Sequence, residues 1–424
     1  MRDLGRMGFF VLVVWALLAI YPMGAGAEET LRIGLLVPFT GPLALEGNRT
    51  WMGFQIAADM VNDRGGIWGK KIEFVKGDSV SPDSAISEME RLITVEKVNI
   101  IAGGYSSSRV FAASEINEKY KKIYWVSTAV AENIVTRGLK YIFRYNAYSS
   151  QFGEAKLTFT AKKIAPALGK KPSDLRVAII YEDTLWGTTT AKAETAEAPK
   201  HGVKIVLNES YSAKSIDLSP LIMKLRAANP DVILMTGYVN DTNLFWRQCK
   251  EMDFNFAALV ESGAVLGQPE WEQTFGKDVN GTIGMGQKCA DPSLLSPKGR
   301  DLQKEYLKRI GEKFKVINPG DHHILSFEAG HILFTQVLPL AGSMDPEKVR
   351  EAALKINRFW KDSVNGMGCR YAPPGHPLAG QNIESTPFIH QWQNQKLVTM
   401  YPDHVVAGKL QVPMPTWDER KKMK

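Results

Sequence analysis

Apolar and polar positions alternate in a regular order along the first part of the chain. The apolar run from Leu31 to Val37 predicts a strand covered on both faces, and Thr40-Gly41-Pro42 ends it. Met52, Ile56 and Met60 then recur at every fourth position, as on the buried face of a helix that Gly65-Gly66 terminates. The same reasoning predicts five further elements in the order strand, helix, strand, helix, strand: Lys71 to Val75, Ala85 to Ile93, Asn99 to Ala102, a helix after Gly103-Gly104 that runs toward Tyr120, and Ile123 to Val126.

This order of elements is typical of a doubly wound α/β unit with a parallel sheet, and it begins again farther along. The second series has strands at Val177 to Ile180, Val203 to Leu207 and Asp231 to Met235, with helices after Gly187 and around Leu221 to Leu225. Past Gly281 the periodicity predicts helices at Leu302 to Ile310, Ile324 to Leu338 and Val349 to Ile356, and then a strand-like tail from Pro387 to Val398. Two similar units in tandem predict two lobes rather than one large sheet.

The first 27 residues have the composition of an export signal. Arg2 and Arg6 precede an apolar run from Phe9 to Ile20, and Ala25-Gly26-Ala27 supplies the small residues that signal peptidase accepts. The apolar run is shorter than the ~20 residues that a membrane-spanning helix needs. Residues 1–27 are therefore predicted to be a cleaved signal peptide, no later segment is expected to span a membrane, and the mature protein is expected in the periplasm.

Charge and cysteine content restrict the possible partners. The formal net charge is +7 and the isoelectric point is about 9.0, but the basic residues are scattered and form no stripe interleaved with aromatics, so a nucleic-acid partner is not expected. The three cysteines, Cys249, Cys289 and Cys369, allow one disulfide in an oxidising compartment. The sequence does not choose the pair.

A search for catalytic motifs argues against an enzyme. The chain has no G-x-S-x-G elbow, no P-loop and no G-x-G-x-x-G after its first strand, so no cofactor is expected. One group of residues suggests a metal site: His322, His323, Glu328 and His331. Because these residues begin or lie within an apolar helical stretch, helix caps or satisfied polar groups are the preferred interpretation.

Polar residues follow the third predicted strand. Open α/β sheets bind ligands beyond the carboxyl ends of their strands, and Ser106-Ser107-Ser108 stands at such an end and opens a helix. Hydroxyls, unpaired backbone N–H groups and the positive end of the helix dipole would converge there, a combination that suits a carboxylate. The alternative is a serine N-cap that satisfies its own helix and contacts no ligand.

Several motifs together resemble the type I periplasmic binding proteins, in particular the branched-chain amino acid (leucine/isoleucine/valine-binding) substrate-binding family of ABC transporters. The most specific stretch is GFQIAADMVN at residues 53–62, followed by Gly65-Gly66-Ile67, Gly69 and Asp78. Weaker matches support it: Gly41-Pro42, Ser106-Ser107-Ser108, Phe143-Arg144, Trp186-Gly187, Asp217 and Pro230-Asp231. The resemblance covers nearly the whole mature chain.

The resemblance implies a fold of two Rossmann-like lobes joined by three crossover strands. On that basis lobe one would hold residues 28–148 and 289–363, and lobe two would hold residues 149–288 and 364–424. Cys289 and Cys369 would then both lie near the crossovers, which suggests a disulfide between them.

The resemblance also implies a set of ligand-binding residues, some of which depart from the family pattern. Ser107 and Ser108 would hold a carboxylate, and Ala129 and Ala131 would contribute backbone groups, Ala131 standing where relatives have a hydroxyl residue. The other candidates, with their expected places, are Trp186 as an aromatic lid or alternatively a core residue, Tyr238 facing the ligand, Glu261 as partner of an ammonium group, and Glu46 where relatives often have an aromatic side chain.

The function implied is capture of an amino acid or a similar small carboxylate and its delivery to the membrane permease of an ABC transporter. The chain is expected to work as a monomer. Because Glu46, Ala131 and Val239 alter the pocket walls, other amino acids, amides and small organic acids remain open as ligands. Two alternatives remain: a ligand-sensing periplasmic receptor of the same fold, whose signalling partner would be a separate membrane protein, and an exported α/β hydrolase.

Overall fold

Two β-sheets organise the chain in this computed structural model, which describes residues 30–263 and 269–423. The predicted signal peptide lies outside the described residues. The strands are β1 (Leu31–Val37), β2 (Ile72–Asp78), β3 (Ile100–Gly103), β4 (Ile123–Val126), β5 (Ile142–Arg144), β6 (Arg176–Glu182), β7 (Lys204–Tyr211), β8 (Val232–Thr236), β9 (Ala258–Ser262), β10 (Ile283–Gly286), β11 (Phe388–Gln393) and β12 (Lys396–Tyr401).

The helices follow the strands in the alternation that the hydrophobic pattern predicts. They are α1 (Ala44–Asn62), α2 (Pro82–Thr94), α3 (Ser107–Lys119), α4 (Ser149–Phe159), α5 (Ala165–Ala167), α6 (Leu185–Glu197), α7 (Ser219–Ala228), α8 (Val239–Glu251), α9 (Pro269–Phe275), α10 (Pro297–Phe314), α11 (Asp321–Ile332), α12 (Leu338–Ala341), α13 (Pro346–Ala353) and α14 (Trp417–Lys422). Two π-helical segments, Thr160–Ile164 and Leu333–Val337, join α4 to α5 and α11 to α12.

The first sheet is parallel, with strand order β2-β1-β3-β4-β5. Side chains alternate between its two faces, so Ile33 and Leu35 enter the core under α1, α10 and α11, while Leu36 enters the core under α2 and α3. Gly53 lies where α1 crosses α11, and a Cβ there would come within 2.3 Å of the His323 carbonyl oxygen. The family-like stretch at 53–62 therefore has its glycine where two helix backbones meet.

The second sheet has the order β12-β11-β10-β9-β8-β6-β7 and is parallel except at its β11 and β12 edge. Val177, Ile179 and Val260 face the core under α4 and α6, whereas Ile180 and Leu259 face the core under α7 and α8. The two-lobed, doubly wound α/β architecture predicted from the sequence is confirmed. The tail predicted as one strand is in fact a hairpin, β11 and β12.

The chain passes between the two sheets after β5, after β10 and before β11. We expected lobe two to resume at residue 364, but Val364, Met367 and Tyr371 lie in the core beneath the first sheet. Farther on, the Asn382 N–H donates to the Arg144 carbonyl oxygen at 2.9 Å. We therefore propose that lobe one extends through Asn382, with the other expected boundaries retained.

The disulfide suggested between Cys289 and Cys369 is absent, because all three cysteines are free thiols. Cys369 pairs through its backbone with Arg358 and is buried in the lobe-one core, while Cys289 packs at the edge of that core. Burial raises the pKa of both thiols to about 12. They behave as small apolar groups of the core rather than as a crosslink.

One later helical stretch, Asp321–Ala341, is long and apolar enough to cross a membrane, contrary to our expectation. An apolar stretch of 18 residues within it is 72% buried inside the protein, and the Trp125 indole nitrogen donates to the Ala329 carbonyl oxygen at 2.8 Å. A helix that is apolar on all sides is the expected centre of a large core, and this one lies against α1.

Candidate functional site

A pocket lies between the two lobes, at the carboxyl ends of their central strands. Its lobe-one wall comes from the loops after β3 and β4 and from the start of α11, and its lobe-two wall comes from α4, α6 and the loops after β8 and β9. The lining residues are Tyr105, Ser106, Ser107, Thr128, Ala129, Val130, Asn146, Phe152, Trp186, Tyr238, Val239, Gly263, Met285, Gly286, Asp321 and His322.

The start of α3 is part of the lobe-one wall of the pocket. The turn from β3 uses left-handed backbone at Gly103, Gly104 and Ser106, with φ values of 121°, 85° and 70°. A Cβ at Gly103 would come within 2.6 Å of the Leu36 carbonyl oxygen, so the turn needs a glycine there. The Ser106 side chain makes no capping hydrogen bond to the helix. In the part of the chain that the structure describes, the first-turn N–H groups of α3 are therefore uncapped and can donate hydrogen bonds to an anion.

Ser107 is buried, and its hydroxyl holds the neighbouring loop in place. Its Oγ accepts hydrogen bonds from the backbone N–H groups of Val130 at 3.3 Å and Ala131 at 3.1 Å. Within the described chain it donates to no protein acceptor, so its hydrogen is available toward the pocket. The alternative in which the serines only cap their own helix does not describe this arrangement.

The remaining lobe-one candidates are divided between the pocket and other contacts. Ser108 lies outside the lining, and its Oγ accepts from the Leu185 N–H of lobe two at 3.4 Å. Ala129 lines the pocket, but its N–H donates to the Gly104 carbonyl oxygen at 3.2 Å. Ala131 does not line the pocket, and its carbonyl oxygen accepts from Arg144 Nη1 at 2.6 Å. The backbone amides predicted to bind ligand are thus already used inside lobe one.

Three aromatic side chains, Phe152, Trp186 and Tyr238, belong to the lobe-two wall. The rings of Trp186 and Tyr238 have centroids 5.1 Å apart, and Tyr105 approaches Tyr238 from lobe one at 6.4 Å. The Trp186 indole nitrogen is buried without a hydrogen-bond partner among the described residues. Trp186 also packs in the lobe-two core, so its ring borders both the pocket and the core.

Glu261, the predicted partner of an ammonium group, is buried away from the pocket. Side chains alternate along β9, and Val260 faces the core that contains Trp186, so Glu261 faces α8 on the opposite side. Its carboxylate accepts a hydrogen bond from Thr242 Oγ1 at 3.3 Å. The structure therefore does not bring Glu261 to the ligand position that the resemblance implied.

Glu46 lies in a charged cluster behind the lobe-one wall. Its carboxylate accepts from Arg49 Nη1 at 2.6 Å and lies 2.5 Å from His322 Nδ1. Burial alone would raise the pKa of Glu46, but the charges and hydrogen bonds of His322 and Arg49 outweigh it and bring the pKa to about 2. Burial alone would lower the pKa of His322, and Glu46 reverses this, so the pKa is raised. Glu46 thus contacts the pocket residue His322, and it also lines a small adjoining cavity beside Tyr105 and Tyr238.

Asp321 is a pocket residue that the sequence analysis missed. It is the first residue of α11, and its Oδ1 accepts from the Gln287 N–H at 2.6 Å. Burial raises its pKa to about 6, although the His322 charge and the hydrogen bond from Gln287 act in the opposite direction. Tyr105, Thr128, Phe152 and His322 were also missed as lining residues.

Comparisons with known proteins identify the family of this fold and pocket. The family model described as periplasmic binding protein matches residues 30–383. The Leu/Ile/Val-binding protein homolog 7 of Brucella suis biovar 1 (strain 1330) is 33% identical over 405 residues, which cover 95% of this chain and 99% of that protein. The chain belongs to the periplasmic binding protein family.

Two solved structures show the same fold in other members of this class. The branched-chain amino acid transporter substrate-binding protein LivJ from Streptococcus pneumoniae, in complex with isoleucine, has a TM-score of 0.74 and 20% identity, covering 88% of this chain and 100% of that one. A solute-binding protein of an R. palustris ABC transporter, in complex with benzoate, has a TM-score of 0.73 and 16% identity, and the match covers 90% of this chain and 100% of that one. These two structures show the fold, while the family match and the Brucella relative make this chain a solute-binding protein and place it outside the cytoplasm.

The suspected metal ligands have separate partners in this binding protein. His322 pairs with Glu46, His323 Nδ1 accepts from the Gly320 N–H at 3.1 Å, and Glu328 pairs with Arg358. His331 packs against the Phe327 ring at a centroid distance of 5.7 Å. Within residues 30–263 and 269–423, no group of three such side chains is arranged to hold a metal ion.

Proposed function

We propose that this protein captures a small solute bearing a carboxylate between its two lobes and delivers it, chemically unchanged, to the permease of an ABC transporter after its signal peptide is cleaved. The observation that carries this proposal is the uncapped start of α3 opening into an aromatic pocket. A carboxylate there would accept from the first-turn N–H groups and from the Ser107 hydroxyl. The periplasmic binding family and the names of its relatives support delivery to a transporter.

Close to the three connections the lobes share short hydrogen bonds, such as the one from the Ser149 N–H to the Val130 carbonyl oxygen at 3.0 Å, but the bonds described across the pocket away from the connections are long. They include Leu185 N–H to Ser108 Oγ at 3.4 Å and Ser106 Oγ to Tyr238 OH at 3.4 Å. Bonds of this length contribute little, so the lobes are expected to separate when no ligand links them. Ligand binding would then close the protein about its three connections.

The test combines a binding screen with a measurement of closure. Free carboxylates, namely the L-amino acids, benzoate and 4-hydroxybenzoate, are compared with their amides by thermal shift and calorimetry. We expect at least one free acid to bind, its amide to bind at least tenfold more weakly, and the radius of gyration in X-ray scattering to fall. A ligand at 100 times its Kd adds about 2.7 kcal/mol to stability. An amide that binds as tightly as its acid would contradict the carboxylate assignment.

The aromatic lid gives a second prediction. Trp186→Ala should weaken binding about tenfold, because a well-placed aromatic contact is worth about 0.5–1.5 kcal/mol beyond the apolar area that it buries. The matched control is Trp246→Ala, since Trp246 lies in the lobe-two core away from the pocket. That variant should lower the melting temperature and leave the affinity unchanged. If Trp186→Ala behaves like the control, its ring is a core residue only.

A further inference from the structure

Polar and apolar side chains are distributed unequally between the two walls of the pocket. The lobe-one wall presents hydroxyls and charged groups from Ser106, Ser107, Thr128, Asp321 and His322. The lobe-two wall presents mainly rings and apolar side chains, from Phe152, Trp186, Tyr238, Val239 and Met285. The Tyr238 hydroxyl is itself shared between Ser106 and Thr184. The groups able to hold the charged ends of a ligand therefore lie on lobe one.

Asp321 is the only carboxylate residue among those that line the pocket in the described chain. Asp321 forms no ion pair with any described residue, and the neutral Gln287 N–H donates a hydrogen bond to it. The neighbouring His322 donates to Glu46 instead. A half-buried carboxylate without a contacting counter-ion is costly, and burial raises its pKa to about 6 accordingly.

The acidic residues of lobe two near the cleft contact groups outside the pocket, although Asp241 Oδ1 has no hydrogen-bond partner among the described residues. Glu182 accepts from the Thr184 and Gly187 N–H groups, both at 2.6 Å, and Asp241 accepts from the Tyr211 hydroxyl at 2.6 Å. Glu261 faces α8, as described above. None of the three lines the pocket, so the described side chains of lobe two offer no carboxylate to a cationic ligand group there.

The charges behind the lobe-one wall also balance one another. Glu46 and Asp321 are acidic, while Arg49 and His322 are basic, so the four groups sum to zero when all are ionised. Arg49 and His322 both contact Glu46 rather than the pocket carboxylate. A ligand that is neutral overall but charged at both ends suits such a wall better than a simple anion does.

We infer that Asp321 binds the cationic nitrogen of the ligand, so that lobe one holds both ends of an α-amino acid zwitterion while lobe two closes over it as an aromatic lid. This inference rests on the proposed function, because the α3 start must hold the carboxylate. The predicted partner of the ammonium group, Glu261 of lobe two, is thus replaced by Asp321 of lobe one.

The experiment compares amino acids with the same acids lacking the amino group. Calorimetry at neutral pH uses L-leucine against 4-methylpentanoate and L-phenylalanine against 3-phenylpropanoate, for the wild type, Asp321→Asn and Glu261→Gln. Asparagine keeps the oxygen that accepts from Gln287, so the fold should survive, and thermal unfolding checks this. We expect the wild type to prefer the amino acid of at least one pair.

Asp321→Asn should weaken binding of that amino acid ten- to a hundredfold and leave the deaminated acid unchanged, because only the ammonium contact is lost. Glu261→Gln should keep the preference of the wild type. The inference is overturned if the deaminated acids bind the wild type as tightly as the amino acids, or if Glu261→Gln rather than Asp321→Asn removes the preference. In both cases carboxylate binding, and with it the proposed function, still stands. Failure of the folded wild type to bind any of the four compounds overturns the inference and counts against the proposed function as well.

Discussion

Replacing Ser107 with alanine is expected to weaken ligand binding ten- to a hundredfold and to destabilise lobe one at the same time. The hydroxyl would donate to the ligand carboxylate, and a hydrogen bond to a charged group is worth about 1.5–3 kcal/mol. Ser107 Oγ also accepts hydrogen bonds from the N–H groups of Val130 and Ala131, and alanine would leave these two buried N–H groups without an acceptor. The stability loss from that change is about 1–3 kcal/mol.

The two effects of Ser107→Ala are separable by measuring affinity calorimetrically well below the melting temperature and stability by denaturant unfolding. Ser106→Ala is the matched control, because among the described residues its hydroxyl makes one contact, with Tyr238 at 3.4 Å, and it does not cap α3. It should change both quantities less. A folded Ser107→Ala protein with wild-type affinity would remove Ser107 from the binding site.

Replacing Lys156 with methionine should produce the largest loss of stability, about 3–5 kcal/mol, because it breaks a fully buried ion pair. Lys156 Nζ donates to Glu194 at 2.7 Å and to the Met235 carbonyl oxygen at 3.0 Å, and both charged side chains are fully buried. Burial raises the pKa of Glu194 even with the lysine present, so in the variant this carboxyl is expected to take up a proton. Protonation would reduce the loss without removing it.

The control for this prediction replaces both partners. Lys156→Met combined with Glu194→Leu removes both charges, and apolar replacements of buried pairs are often neutral or stabilising. Denaturant unfolding should therefore place the double variant close to the wild type and well above Lys156→Met. Equal instability of the single and double variants would mean that packing volume, not the unpaired carboxylate, controls the effect.

Elements with uninterrupted apolar runs were predictable from the sequence, and those interrupted by charged or glycine residues were not. The strand Ile123 to Val126 was predicted with the bounds that the structure has. By contrast, β5 has three residues and ends in a charged one, while β10 reads Ile-Gly-Met-Gly, so neither gives a hydrophobic period. The tail was predicted as one strand because its turn, at Asn394 and Gln395 with φ values of 49° and 59°, lacks the usual glycine.

The candidate site was predictable only where local sequence determines the geometry. Strand, glycines and serines in succession are enough to place Ser107 at a helix start beside the pocket. The side of the sheet that Glu261 faces depends on its register in β9, where a shift of one residue moves the side chain to the opposite face. Asp321 reaches the pocket through the packing of α11 on α1, a contact between distant parts of the chain that no short motif reveals.

The position of the Trp186 indole makes it an optical reporter of occupancy. Trp125, Trp246 and Trp271 are each no more than 1% exposed, so their fluorescence should form a constant background. The Trp186 ring instead borders the pocket, and its N–H has no protein acceptor among the described residues. A solute that enters beside this ring changes the polarity of its surroundings and the quenching of its fluorescence. Emission of the unlabelled protein, with Trp186→Phe as the blank, would therefore follow capture and release in stopped-flow mixing without any added dye.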